Sequence, residues 1–225
     1  MKVLFEDNHL IAVYKPNGIL SQGDSTGDKS MIDEVKAYIK KKYNKPGDVF
    51  LGSIHRIDRV TSGILIFART SKALTRMNQM LKDRKISKTY LAILDERPDN
   101  PSGKLVNYLR KNQKANYVIV VDKDKEGAKK AILNYEMIAE LESKCLVSVN
   151  LETGRPHQIR TQFGYIGCPV TGDTKYRGSK RSELKGGIYL HSYELQFLHP
   201  VGKAPIRITT KPDAVGYWKT FKDFI

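Results

Sequence analysis

The chain has 225 residues, 40% of them hydrophobic, enough for one large domain or two small ones around a real core. Its 39 Lys and Arg against 24 Asp and Glu leave a net charge of +15 and a pI near 9.7. That surplus points to a polyanion, and to nucleic acid before membrane, because no segment approaches the ~20 apolar residues of a spanning helix. The two cysteines, Cys145 and Cys168, show no metal-ligand spacing and the N-terminus no signal-peptide pattern, so a reducing cytoplasm and no metal are expected.

Two short strands, Val3 to Phe5 and His9 to Tyr14, flank the turn Glu6-Asp7-Asn8, and Lys15-Pro16-Asn17-Gly18 ends the second. Ile32, Val35, Ile39 and Tyr43 recur at helical spacing, with Lys36, Lys40, Lys41 and Lys42 mostly elsewhere on the surface. That lysine face suits either phosphates or plain solvent. The run Ile64 to Ala68 has the length and β-branched, aromatic character of a buried strand. Thr70 or Ser71 then caps a helix that turns Leu74, Met77 and Leu81 inward.

Lys88 to Leu94 is a strand and Pro98 to Gly103 a turn. From Lys104 to Asn150 the pattern is β-rich, with strands around Val106, Tyr117 to Val121, Ala131 to Ile138 and Leu146 to Asn150. The charged tip Asp122 to Gly127 is an exposed hairpin turn. Residues 155–166 form a helix, Tyr189 to Phe197 and Ile206 to Thr209 strands, and Ala214 to Phe224 a closing helix. Strands outnumber helices without regular alternation, so the class is α+β. There is no repeat, low-complexity tract or interdomain linker.

Three constellations carry chemistry. In the first, Asp58 sits among His55, Arg56 and Arg59 at the mouth of the Ile64 to Ala68 strand. An acid ringed by cations stays ionised. It is therefore a poor general acid, and either a nucleophile, an electrostatic anchor or half of a structural Asp–Arg pair. In the second, Thr153 to Arg160, Gly154 permits a tight turn and Pro156 suits the first turn of a helix. Arg160 then lies just inside a helix entrance, where its planar fork can reach a carboxylate or a phosphate. The third is Lys88-Thr89-Tyr90-Leu91-Ala92, in which Tyr90 reads on its own as core packing.

Together these motifs resemble the RluA-type pseudouridine synthases. The likeness rests on His55-Arg56-Ile57-Asp58 with Thr61-Ser62-Gly63, on Lys88 to Ala92 and on Gly154 to Arg160. Val13-Tyr14-Lys15-Pro16-Asn17-Gly18 and Gly172-Asp173-Thr174-Lys175-Tyr176 support it. The motifs follow the family's order over roughly residues 5 to 200, and Ile57 stands where Leu is usual.

The resemblance implies a mixed, largely antiparallel sheet with flanking helices and a central RNA-binding cleft, in a single catalytic domain spanning 1–225. It implies an RNA uridine-to-pseudouridine isomerase without cofactor or metal, acting on a tRNA or rRNA stem-loop; the sequence leaves the oligomeric state open, with a monomer expected. Asp58 is then the catalytic aspartate and Arg160 its charge partner. Tyr90 packs on the uracil and helps with its C5 proton, and Ile159 borders the base pocket. Arg56, His55, Arg155, His157 and Gln158 contact RNA. Family members often carry an N-terminal S4-type RNA-binding module; the catalytic pattern here starts within the first residues, so none is expected.

Three rivals stand beside this reading. An RNA-binding protein on the same fold would not need Asp58. A glycosidase would need a second carboxylate, for which Glu152 is the nearest sequence candidate. A DNA-binding module would show a helix-turn-helix or zinc signature, and neither is present.

Overall fold

The structure, a computed structural model, describes residues 1–112, 115–180 and 183–225. In chain order its elements are β1 (Val3–Glu6), β2 (Leu10–Lys15), α1 (Met31–Lys42), β3 (Gly52–Ser53), β4 (Ser62–Ala68), α2 (Ser71–Lys82), β5 (Ser87–Leu94) and β6 (Ser102–Asn112). They continue with β7 (Tyr117–Val121), β8 (Lys129–Leu141), β9 (Lys144–Leu151), α3 (Gln158–Tyr165), β10 (Leu190–Leu198), β11 (Pro205–Thr209) and α4 (Tyr217–Thr220). The chain folds as two compact units, Met1–Ser87 with Ser192–Lys211, and Lys88–His191 with Pro212–Ile225. The class is α+β, as the sequence implies.

In the first unit β2 lies between β1 and β4, antiparallel to both, and β11 pairs antiparallel with β10. Helices cover both faces of β4. Ile64, Ile66 and Ala68 pack with Leu10, Ala12 and the α2 residues Ala73 and Met77. Leu65 and Phe67 pack with Ile11, Val13 and the α1 residues Met31, Val35 and Ile39. Burial on both faces explains why β4 reads as a continuous apolar run and not as an alternation. The Thr70 hydroxyl caps α2 by accepting from the Ala73 amide at 3.2 Å, a contact worth about 1 kcal/mol.

In the second unit the strands run β5-β9-β8-β6-β7, each antiparallel to its neighbour. Helix α3 packs on one face of this sheet. Phe163 meets Tyr135 edge-on at 5.5 Å, and the Gln162 side-chain amide donates to Asn107 Oδ1 at 2.7 Å. Residues 122–127 are an exposed turn between β7 and β8.

Two helices differ from expectation. Residues 155–166 are helical only over Gln158–Tyr165, because His157 adopts a left-handed conformation at φ 49°. The Gln158 side-chain oxygen instead accepts from the Arg155 amide at 3.0 Å and the Thr153 hydroxyl at 2.8 Å, so the Pro156 turn closes before the helix begins. The closing helix shrinks to α4 and a 3-10 turn over Lys222–Phe224, since Gly216 takes φ 53° just ahead of it. Trp218 and Phe221 still point inward, Trp218 lying 5.7 Å from the ring of Tyr189.

Candidate active site

Asp58 sits half-buried in the loop between β3 and β4, and the fold grips that loop by its peptide groups. On one side the buried Ser21 hydroxyl donates to the Ile57 carbonyl at 2.7 Å and accepts from its amide at 3.2 Å. On the other, the Arg59 carbonyl accepts from the Gly18 amide at 2.8 Å and from Lys15 Nζ at 3.1 Å. The Thr61 amide closes a turn onto the Asp58 carbonyl at 3.0 Å. The chain then enters β4 through Gly63, at φ 116°, where a Cβ would collide with the Ser192 backbone. Only glycine fits there.

Lys15 is the cation inside this loop. It is fully buried, and its ammonium donates to the carbonyls of Pro16 at 3.0 Å and Ile19 at 2.8 Å besides Arg59. Burial pulls its pKa down to about 7, against the opposing pull of the Asp58 charge. The cations expected around Asp58 are arranged differently. Arg59 is exposed and pairs with Asp28 at 2.7 Å, and Arg56 is exposed. His55 Nε2 accepts from the Ile66 amide at 3.2 Å, which fastens the loop to β4.

Arg160 belongs to the second unit and is 5% exposed. Its Nε and Nη2 donate to the two oxygens of Asp173 at 2.6 and 2.9 Å, and Asp173 is 1% exposed. Such a two-point fork fixes the plane of the guanidinium as well as its position. The segment carrying Asp173 is laid along β5, with the Thr171 amide donating to the Ile93 carbonyl at 2.8 Å. The guanidinium also lies 5.0 Å over the ring of Tyr176. That ring stacks on Tyr117 at 4.8 Å, and its hydroxyl meets His157 Nδ1 at 2.7 Å and the Val118 amide at 2.9 Å. Burial pushes the Tyr176 phenol up.

The remaining expected residues divide by role. Tyr90, 7% exposed, stands opposite Val149 in the β5–β9 pairing, and Ile159 is 4% exposed in α3. Gln158 is buried, and its side chain closes the Thr153 loop. Arg155 donates from Nε to the Lys130 carbonyl at 2.9 Å. Burial lowers the pKa of Lys88, which lies against Gly154: a Cβ there would come within 3.3 Å of its Nζ. Sequence reasoning assigned no role to Lys15, Asp173 or Tyr176. All three stand inside the motifs that support the resemblance, and that was their available signal.

The description RNA pseudouridylate synthase is that of the family model matching residues 9–165. Ribosomal large subunit pseudouridine synthase C of Buchnera aphidicola is 32% identical over 219 residues, covering 92% of this chain and 68% of that protein. Ribosomal large subunit pseudouridine synthase D of Borreliella burgdorferi is 31% identical over 205 residues, covering 89% of this chain but only 61% of its own length. Among solved structures, Human RNA Pseudouridylate Synthase Domain Containing 4 superposes with a TM-score of 0.78 at 20% identity, covering 94% of this chain and 88% of that one, a likeness of fold. With the order of its motifs and the setting of Asp58, these matches place the chain in the RNA pseudouridylate synthase family.

Proposed function

We propose that the chain isomerises uridine to pseudouridine in a structured RNA, with Asp58 as the catalytic aspartate. The observation that carries this reading is a half-buried carboxylate held by hydrogen bonds to the peptide groups on either side of it. Such a grip fixes the reacting group without covering it. Asp58 acts on the ribose of a flipped uridine, either adding to C1′ or assisting elimination to a glycal. The N1–C1′ bond breaks, the uracil turns, C5 joins C1′, and the C5 proton leaves as N1 gains one.

Arg160 serves the reaction as a fixed cation, and Tyr90 packs on the uracil. Flipping costs a few kcal/mol of unstacking, so a single-stranded loop of rRNA or tRNA is the natural target. The names of the two relatives put large-subunit rRNA first. The whole chain acts as one catalytic domain, as a monomer, in the cytoplasm. Among the described residues no helix is long and apolar enough to cross a membrane.

The test is tritium release from unmodified rRNA and tRNA transcripts labelled at uridine C5. Wild type releases tritium from one pool, and Asp58→Asn, which still binds RNA, releases none. Equal release by the variant would remove Asp58 from the chemistry; silence of the wild type on both pools would remove the reaction.

A further inference from the structure

The sheet of the second unit has a second face, buried at β5 and β9 and open along β6, β7 and β8. Along β6 the side chains of Leu105, Asn107 and Leu109 turn to the face that α3 covers, so Lys104, Val106, Tyr108 and Arg110 turn to the other. The pairing sets Tyr108 opposite Lys130 on β8 and Val121 on β7, and Arg110 opposite Ile119. Val106 is 48% exposed, Arg110 and Lys130 are exposed, and Tyr108, Ile119 and Val121 are half-exposed.

Three cations on or beside this face, Arg110, Lys130 and Arg155, have no carboxylate within 4.0 Å among the described residues. Arg155 is at its flank, donating to the Lys130 carbonyl. Lys104 is the exception, paired with Glu152 at 2.7 Å. The face ends at the exposed turn 122–127, where Asp122, Asp124 and Glu126 are mixed with Lys123 and Lys125. A tyrosine and branched aliphatics also occur in protein contacts, but the unpaired cations interleaved with them are complementary to a polyanion. Together they match a single-stranded polynucleotide, whose bases take the aromatic and apolar surface and whose phosphates take the cations.

We propose that the open face of β6, β7 and β8, through Tyr108, Arg110 and Lys130, binds a single-stranded segment of the RNA that flanks the target stem-loop. This rests on the chain acting on RNA, and it adds a second contact region to the one around Asp58. Its consequence is a substrate-length effect. An RNA with a single-stranded extension is held more tightly than the bare stem-loop, with the same turnover once bound.

The decisive probe is a fluorescein-labelled single-stranded RNA of about ten nucleotides and mixed sequence, titrated by anisotropy against full-length protein. Tyr108→Ala weakens its binding about tenfold, the effect of one lost base stack. Arg110→Glu with Lys130→Glu weakens it further and flattens the log–log salt slope by about 1.4, at about 0.7 per phosphate. On an extended substrate the same variants raise KM and leave kcat within about twofold, while on the bare stem-loop neither constant moves. Circular dichroism and urea midpoints confirm that the variants fold.

Unchanged oligonucleotide binding in the variants, or equal binding of a blunt RNA duplex by wild type, overturns the proposal. Because anisotropy needs no turnover, loss of binding in the variants supports the platform even if no tritium is released. Intact binding beside normal turnover sinks the platform alone.

Discussion

The peptide groups beside Asp58 are held through the backbone, whereas Arg160 is held through its side chain. Ser21, Gly18 and Lys15 grip the peptide groups of Ile57 and Arg59, on either side of the acid. Asp173 and Tyr176 instead clamp the guanidinium itself, inside the protein. The difference follows from what each group does in the proposed reaction. For a nucleophile, a fixed backbone sets where the carboxylate stands. A cation needs a constant plane and position, and a two-point fork supplies both.

The largest expected effect strikes the side-chain clamp. Asp173→Asn removes one countercharge of the buried Arg160 guanidinium, and breaking a pair this enclosed costs about 3–5 kcal/mol. Urea unfolding should show that loss. If Asp173 positions Arg160 for the reaction, kcat in the tritium assay should also fall more than about tenfold with KM little changed, the signature of an interaction made in the transition state. A folded variant with wild-type kcat would make the clamp purely structural and erase the contrast between the two regions.

A smaller effect strikes the backbone grip. Ser21→Ala strips the Ile57 amide and carbonyl of their shared partner in a buried site, and unsatisfied groups of this kind cost about 1–3 kcal/mol. Here stability and kcat should fall together, because the peptide beside Asp58 loosens. Stability loss with unchanged kcat would show that the loop needs no such grip.

The two regions also differ in how far the sequence discloses them. Strand β4 and its two helices are legible because apolar residues reveal which faces are buried. Asp58 is legible through the motif resemblance; from the residues alone a structural Asp–Arg pair stays open. Lys15 is not: its three acceptors are carbonyls, which every residue has and no pattern marks. Asp173 was visible as part of a motif, but its pairing with Arg160 depends on how a turn after α3 is laid along β5. The start of α3 was misjudged for a related reason. Pro156 imitates a first helical residue, while the side chain of Gln158 closes the turn before it.

The last test isolates Lys15, the β2 cation buried against the Asp58 loop. Its folded-state pKa of about 7 lies below the ordinary 10.5. Below pH 7 the amine is protonated in both states, and the folded protein carries the cost of burying that charge. Between about 7 and 10.5 the unfolded chain binds one more proton than the folded one, so stability rises with pH. Measured as the difference between wild type and Lys15→Met, which cancels the other titrating groups, the advantage of wild type should be flat below pH 7. It should then climb by up to about 1.4 kcal/mol per pH unit. Urea unfolding from pH 6 to 9 measures it directly. A difference that stays flat across that range would mean that Lys15 remains an ammonium, its three carbonyls and the charge of Asp58 outweighing burial. The grip on the Asp58 loop would then be as electrostatic as the clamp on Arg160.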